Sequence, residues 1–197
     1  MAKVFDKLSW PFLYDVLRKF GFSSSWIFLV IRNIESCWFS IFINGILTGF
    51  FQVFKCCQAR DPLSPSFFLI AVVSFSRGFN FLFQSGNADY YSTSFNCIPI
   101  SHLSYVDDVV IFANGGKNTL TNIMLFIRHS EVVSGQLVNV SKSNFIVSKK
   151  LGMIRVRSFS RLTSLLKKTL HFTYLGSPIT KGRKKREIYK LLVNKIK

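Results

Sequence analysis

Acidic residues are scarce in this chain: nine Asp and Glu stand against 26 Lys and Arg, a formal net charge of +17. So few acids leave most of the basic side chains without an internal partner. The expected contact is a polyanion, nucleic acid first and an acidic membrane surface second, unless the charge is simply solvated. Cysteine is also thin. Cys37, Cys56, Cys57 and Cys97 show no C-x-x-C and no Cys/His metal spacing, so they read as reduced thiols of an intracellular protein. Long apolar runs are missing too. The longest, 26–31 and 67–73, fall far short of the roughly 18–20 residues of a spanning helix, so no membrane segment is expected. The N-terminus lacks the basic-then-apolar order of a signal peptide, which makes the expected location nuclear or cytoplasmic. No internal repeat or low-complexity stretch is present, and nothing points to a protein partner.

What the chain has is apolar mass. Hydrophobic residues make up 49% of it and 22 are Phe, so it is no disordered polymer, and its 197 residues suffice for one core plus a fragment. The charge sits at one end. Residues 1–141 hold 10 Lys/Arg against 8 Asp/Glu, whereas residues 142–197 hold 16 against the single Glu187.

Helix signals come first. Ser9 caps and Pro11 sits in the first turn of a helix whose Phe12, Leu13, Val16, Leu17 and Phe20 share a face, with Gly21 as its stop. A second helix is expected over 25–36, burying Trp26, Leu29, Val30 and Ile34. Two strands over 37–43 and 46–53 flank Asn44-Gly45, the strongest short hairpin signal, since both residues accept positive φ. After a loop over 55–62, Ser64-Pro65 opens a helix over 66–77 that Gly78 ends. A loop or weak strand follows at 86–94. Gly115-Gly116 precedes an amphipathic helix with Leu120, Ile123, Met124, Ile127 and Glu131 in one row, stopping at Gly135. Short strands are expected at Val138/Val140, 145–147 and 172–176, with a short helix at 160–170 inside a basic connector. Helices mixed with antiparallel hairpins indicate an α+β domain.

One stretch carries chemistry: His102-Leu103-Ser104-Tyr105-Val106-Asp107-Asp108-Val109-Val110-Ile111-Phe112. Two β-rich runs meet at adjacent carboxylates, which reads as a hairpin tip. Neighbouring acids repel and stay ionised most easily under a cation, and Mg2+ is commonly held by one or two carboxylates plus substrate phosphates. A solvated turn is the alternative.

The order of segments adds a resemblance. Asp61-Pro62-Leu63-Ser64-Pro65, Tyr105-Val106-Asp107-Asp108, Ser134-Gly135-Gln136-Leu137-Val138-Asn139-Val140-Ser141-Lys142-Ser143 and Phe172-Thr173-Tyr174-Leu175-Gly176-Ser177-Pro178-Ile179 follow one another as in a reverse transcriptase palm. Ala2-Lys3-Val4-Phe5-Asp6-Lys7-Leu8-Ser9-Trp10 matches the tail of the first palm motif. Together they resemble the reverse transcriptases of non-LTR (LINE-type) retrotransposons, especially those abundant in plants, over roughly residues 1–185. The resemblance implies a polymerase palm with an antiparallel sheet, packed helices, and incomplete fingers and thumb. Residues 1–148 would form that palm, and 149–197 a basic connector and the start of a thumb. It implies RNA-directed DNA synthesis by two Mg2+ ions about 4 Å apart, on an RNA template and a DNA primer. Asp107 and Asp108 would be catalytic and metal-binding, with Tyr105 beside the primer end. Phe5 would crowd the sugar 2′-carbon and so select deoxynucleotides, or be an ordinary core side chain. Lys142 matches a residue held to protonate the leaving pyrophosphate, and otherwise contacts phosphate or solvent. Tyr174-Leu175-Gly176 would lie near the primer-gripping hairpin, or form only a packed strand.

Two departures temper that expectation. The family's third metal-binding Asp falls five residues before Phe5, immediately ahead of Met1. Asp6 lies roughly 20 Å from that position along an extended strand and is no substitute. Nucleotide-facing positions also differ. Where the family has Gly-Leu-Arg-Gln-Gly, this chain has Cys56-Cys57-Gln58-Ala59-Arg60, so Ala59 and Arg60 replace a Gln and a Gly, and Arg60 puts bulk where backbone should approach the nucleotide. The expectation is a truncated copy that is inactive by itself. The alternatives are a non-catalytic nucleic-acid binder using its basic C-terminal third, and a palm whose uncovered apolar surface prevents a stable fold. Lys181-Gly182-Arg183-Lys184-Lys185-Arg186 has the composition of a nuclear-localisation signal.

Overall fold

Helices supply most of the core, and one of them is much longer than its sequence suggests. The computed structural model describes residues 8–36, 38–52, 63–92, 97–106, 108–148, 151–175 and 177–180. These form two compact units, Met1–Leu137 and Val138–Lys197.

In the first unit, α1 (Trp10–Lys19) and α2 (Ser24–Glu35) form where expected. However, α2 buries Ile27, Val30 and Ile34 and leaves Leu29 exposed, because Ile27 rather than Leu29 lies on the face turned to the core. Ser23 caps α2 by accepting from the Trp26 N–H at 3.3 Å. Ser9 occupies the N-cap of α1 but makes no side-chain cap bond. Its own N–H instead donates to the Ser134 carbonyl at 2.8 Å, tying the start of α1 to the end of a later helix. Strands β1 (Trp38–Ile43) and β2 (Ile46–Gln52) pair antiparallel around Asn44 and Gly45, both at positive φ (49° and 84°), as an Asn-Gly turn requires.

Next, α3 (Ser64–Gln84) runs straight through Gly78, where a stop was expected. Glycine here serves close approach: a Cβ at Gly78 would stand 3.1 Å from the Phe126 ring of α4 (Lys117–Ser134). The extra length lets α3 join two cores. Its first half packs Phe67 and Ala71 with Leu8, Leu13, Leu17, Ile27, Val30 and Ile34. Its second half packs Phe79 and Phe83 with Ala88 and Ile123, flanked by Phe75, Phe126, Ile111 and Ala113.

Length and mean hydropathy (1.6) make α3 apolar enough to cross a membrane, contrary to the expectation from unbroken runs. Ser74, Ser76, Arg77 and Asn80 had masked it. In this fold it packs against α1, α4 and the strand that follows. Strands β3 (His102–Tyr105) and β4 (Asp108–Ile111) then form the acid-bearing hairpin, and α4 ends at Gly135 in the left-handed region (φ 76°).

The second unit departs further. Val138 and Val140 lie outside any strand. There, β5 (Asn144–Ile146) pairs with β6 (Leu166–Lys168) in parallel, and α5 (Met153–Thr163) makes the crossover that a parallel pair requires. The helix expected at 160–170 therefore starts and stops earlier, because 166–168 is committed to the sheet. Phe159 is buried edge-on to Phe145, with centroids 6.1 Å apart. A final hairpin joins β7 (His171–Tyr174) to β8 (Ser177–Thr180). The fold class is α+β, built among the described residues from helices and small two-stranded sheets, three antiparallel and one parallel.

Candidate active site on the β3–β4 hairpin

The hairpin is in strict register: His102 opposite Ile111, Leu103 opposite Val110, Ser104 opposite Val109, Tyr105 opposite Asp108. Val106 follows Tyr105 at the tip and takes φ +48°. A β-branched residue is strained there, and such outliers cluster where a site needs a particular backbone direction. Tyr105 is 58% exposed and Asp108 is exposed opposite it, so the tip presents a phenol and a carboxylate side by side. The Ser104 hydroxyl oxygen is enclosed without a hydrogen-bond partner among the described residues. This hairpin thus carries two local costs that packing elsewhere must offset.

Its base is well held. Ser101, 6% exposed, donates from Oγ to Asn80 Oδ1 of α3 at 2.7 Å, and its Oγ lies 2.9 Å from His102 Nδ1. The His102 ring stands edge-on to Phe79 with centroids 5.2 Å apart, and the Phe112 N–H donates to the Ser101 carbonyl at 2.8 Å. Burial pushes the His102 imidazole below its usual range. Beside the hairpin, Thr119 of α4 donates to Asp89 Oδ2 at 3.0 Å and accepts from the Asp89 N–H at 3.2 Å. Tyr90 bridges to Ala113, just beyond β4. This local polar network was invisible in the sequence, because its members lie about twenty to thirty residues apart.

Of the residues singled out from the sequence, Tyr105 and Asp108 stand opposite each other at the tip. Asp107, Phe5, Ala59 and Arg60 lie outside the described residues, as do Cys56, Cys57, Gln58, Asp61 and Pro62. Lys142 lies in the second unit, exposed on a turn that Asn139 organises. Its backbone N–H reaches the Asn139 carbonyl at 3.1 Å and the Asn139 side chain at 3.2 Å. Tyr174 ends β7 opposite Ser177, with Leu175 at φ +50°, so this turn repeats the backbone device of the acid-bearing one.

Among the described residues no three His, Cys, Asp or Glu side chains gather as a metal group. Asp108 is the carboxylate that the described residues place at the tip. The comparison with known families bears on what the tip is for. The profile of the family described as reverse transcriptase (RNA-dependent DNA polymerase) matches residues 1–179. That span takes in both Tyr-led hairpins, the strut α3 and nearly the whole chain, and on that match the chain belongs to the reverse transcriptase family.

Proposed function

We propose that these residues are the palm of a non-LTR (LINE-type) retrotransposon reverse transcriptase, similar to those abundant in plants. Its work would be RNA-directed DNA synthesis on an RNA template and DNA primer, in the nucleus or cytoplasm. The observation that carries this reading is the strained Val106 tip, which sets Asp108 beside exposed Tyr105 within a chain matching the family over 1–179.

Asp107 and Asp108 would take Mg2+, which when bound neutralises phosphate charge and favours an ionised primer hydroxyl. Tyr105 would flank the primer end, Phe5 the sugar, Ala59 and Arg60 the incoming nucleotide, and Lys142 its phosphates. Residues 1–148 would be the palm, with 149–197 a basic connector leading to a thumb. With Arg60 putting bulk into the nucleotide loop, the chain should hold the incoming nucleotide weakly and polymerise poorly. Primer extension on an RNA template with Mg2+ tests this. Little or no product is expected, and robust synthesis would contradict the expected inactivity.

A second reading has its own observation. Between Glu131 and Glu187 no residue is acidic, while Arg155, Arg157 and Arg161 ride on α5 and Lys167 and Lys168 on β6. Such a segment would grip nucleic-acid phosphates without catalysis. Affinity should then fall steeply between about 50 and 200 mM salt and survive Asp107→Ala with Asp108→Ala. Salt-insensitive binding removes it.

A further inference from the structure

The acid-bearing hairpin has four residues per strand, and among the described residues its two strands pair only with each other. A two-stranded ribbon of that size is marginal alone, so its direction must be set from outside. The described contacts that set it lie at its base. Asn80 sits on α3, one residue after the fully buried Phe79, so its backbone is fixed by the second core. Ser101 has one hydroxyl proton, and that proton goes to Asn80 Oδ1 at 2.7 Å. The 2.9 Å contact to His102 then needs its proton from the ring, so His102 is the Nδ1–H tautomer and donates to Ser101 Oγ. Phe79 against the His102 edge blocks the ring from swinging away.

We propose that Asn80, Ser101 and His102 are positioning residues, a hydrogen-bonded link from α3 that aims the β3–β4 hairpin and so decides where Tyr105 and Asp108 are presented. This rests on the polymerase reading of the tip. The leverage is large. Tyr105 lies three residues beyond His102, about 10 Å along an extended strand, so a pivot of about 10° at the base swings the tip by roughly 2 Å. An error on the order of 1 Å at reacting groups already costs on the order of a hundredfold in rate. The link's effect is on direction alone.

Hydrogen exchange of the full chain tests it, with the amides of β3 and β4 read against those of α1. Ser101→Ala and Asn80→Leu should speed hairpin exchange about tenfold or more while leaving α1 unchanged. Asn80→Asp, which keeps the acceptor, should restore protection. In the wild-type protein, 15N spectra should show the proton of His102 on Nδ1, a readout available even if Asn80→Leu does not fold. Unchanged hairpin exchange in both variants, or a free Nδ1 lone pair in the wild-type chain, overturns the proposal. Mg2+ titration of the wild-type chain, followed by the amide shifts of Tyr105 and Asp108, separates the two readings. A hairpin that loosens in the variants while the wild-type tip gives no Mg2+ response supports the link and counts against the polymerase reading instead.

Discussion

The two hairpins of the first unit solve the same geometric problem in opposite ways. At the tip of β1–β2, positive φ falls on Asn44 and Gly45, residues that accept it at little cost. At the tip of β3–β4 it falls on Val106, which resists it. Anchoring is reversed as well. Both faces of β1–β2 are apolar and open: Gly49, at φ +76°, absorbs a register shift that turns Phe50 onto the face of Trp38, where the rings stack at 5.4 Å, and Phe50 stays 75% exposed. The base of β3–β4 is clamped by Phe79, Asn80 and Ser101. A turn that suits its own chain needs little support. One bent to present an acid needs a scaffold behind it.

The sharpest way to break this contrast is to remove the scaffold. Phe79→Ala empties a site shared with Phe75, Phe83, Phe126 and His102 and should lower stability by about 3–5 kcal/mol in chemical denaturation. The equally large deletion Phe42→Ala, on the open hairpin, should stay within about 0.5 kcal/mol. If the two losses are alike, the hairpins are not supported differently.

Exchanging the tip chemistry comes next. Gly45→Val should cost about 1–2 kcal/mol, because it forces a branched side chain into the left-handed region. Val106→Asn should act in the opposite direction, adding about 1 kcal/mol at the tip. A destabilised Val106→Asn would mean that Val106 packs usefully where it stands.

The smallest effect is with pH. The unfolded His102 imidazole takes its proton near 6.5 and the folded one only at lower pH, held back by burial. The unfolded state therefore binds more protons below 6.5, and stability falls as pH drops from there until the folded ring also titrates. Comparing melting curves of the chain with those of His102→Gln isolates the slope, which should flatten in the variant. A variant with the same slope assigns it to other groups.

Much of this contrast was legible in the residues, and the parts that were not share a cause. Asn44-Gly45 announces its turn, because positive φ is a local demand that only a few residue types meet. The Asp107-Asp108 hairpin was readable from the two β-rich runs that flank the acids and from its place in the motif order. Gly78 misled because a glycine that ends a helix and one that admits a neighbouring ring look the same in one dimension. Which it is depends on Phe126, 48 positions away. Likewise the helix placed at 160–170 ignored the parallel partner of 166–168, and Val138/Val140 alternate without a strand to pair with. Asn80, Ser101 and His102 carried no signal at all, since their meaning lies in distances between separate elements.

The open hairpin also governs how the protein must be handled. From Ser36 to Phe54 the sequence holds no charge, and around its turn Phe42, Ile43, Ile46 and Leu47 all face outward. Such a ribbon offers no electrostatic repulsion to an approaching neighbour and rewards contact on either side. Colloidal behaviour, rather than unfolding, should therefore set the usable concentration. A lysine placed at Phe42 or Leu47 should raise that ceiling without altering the melting temperature.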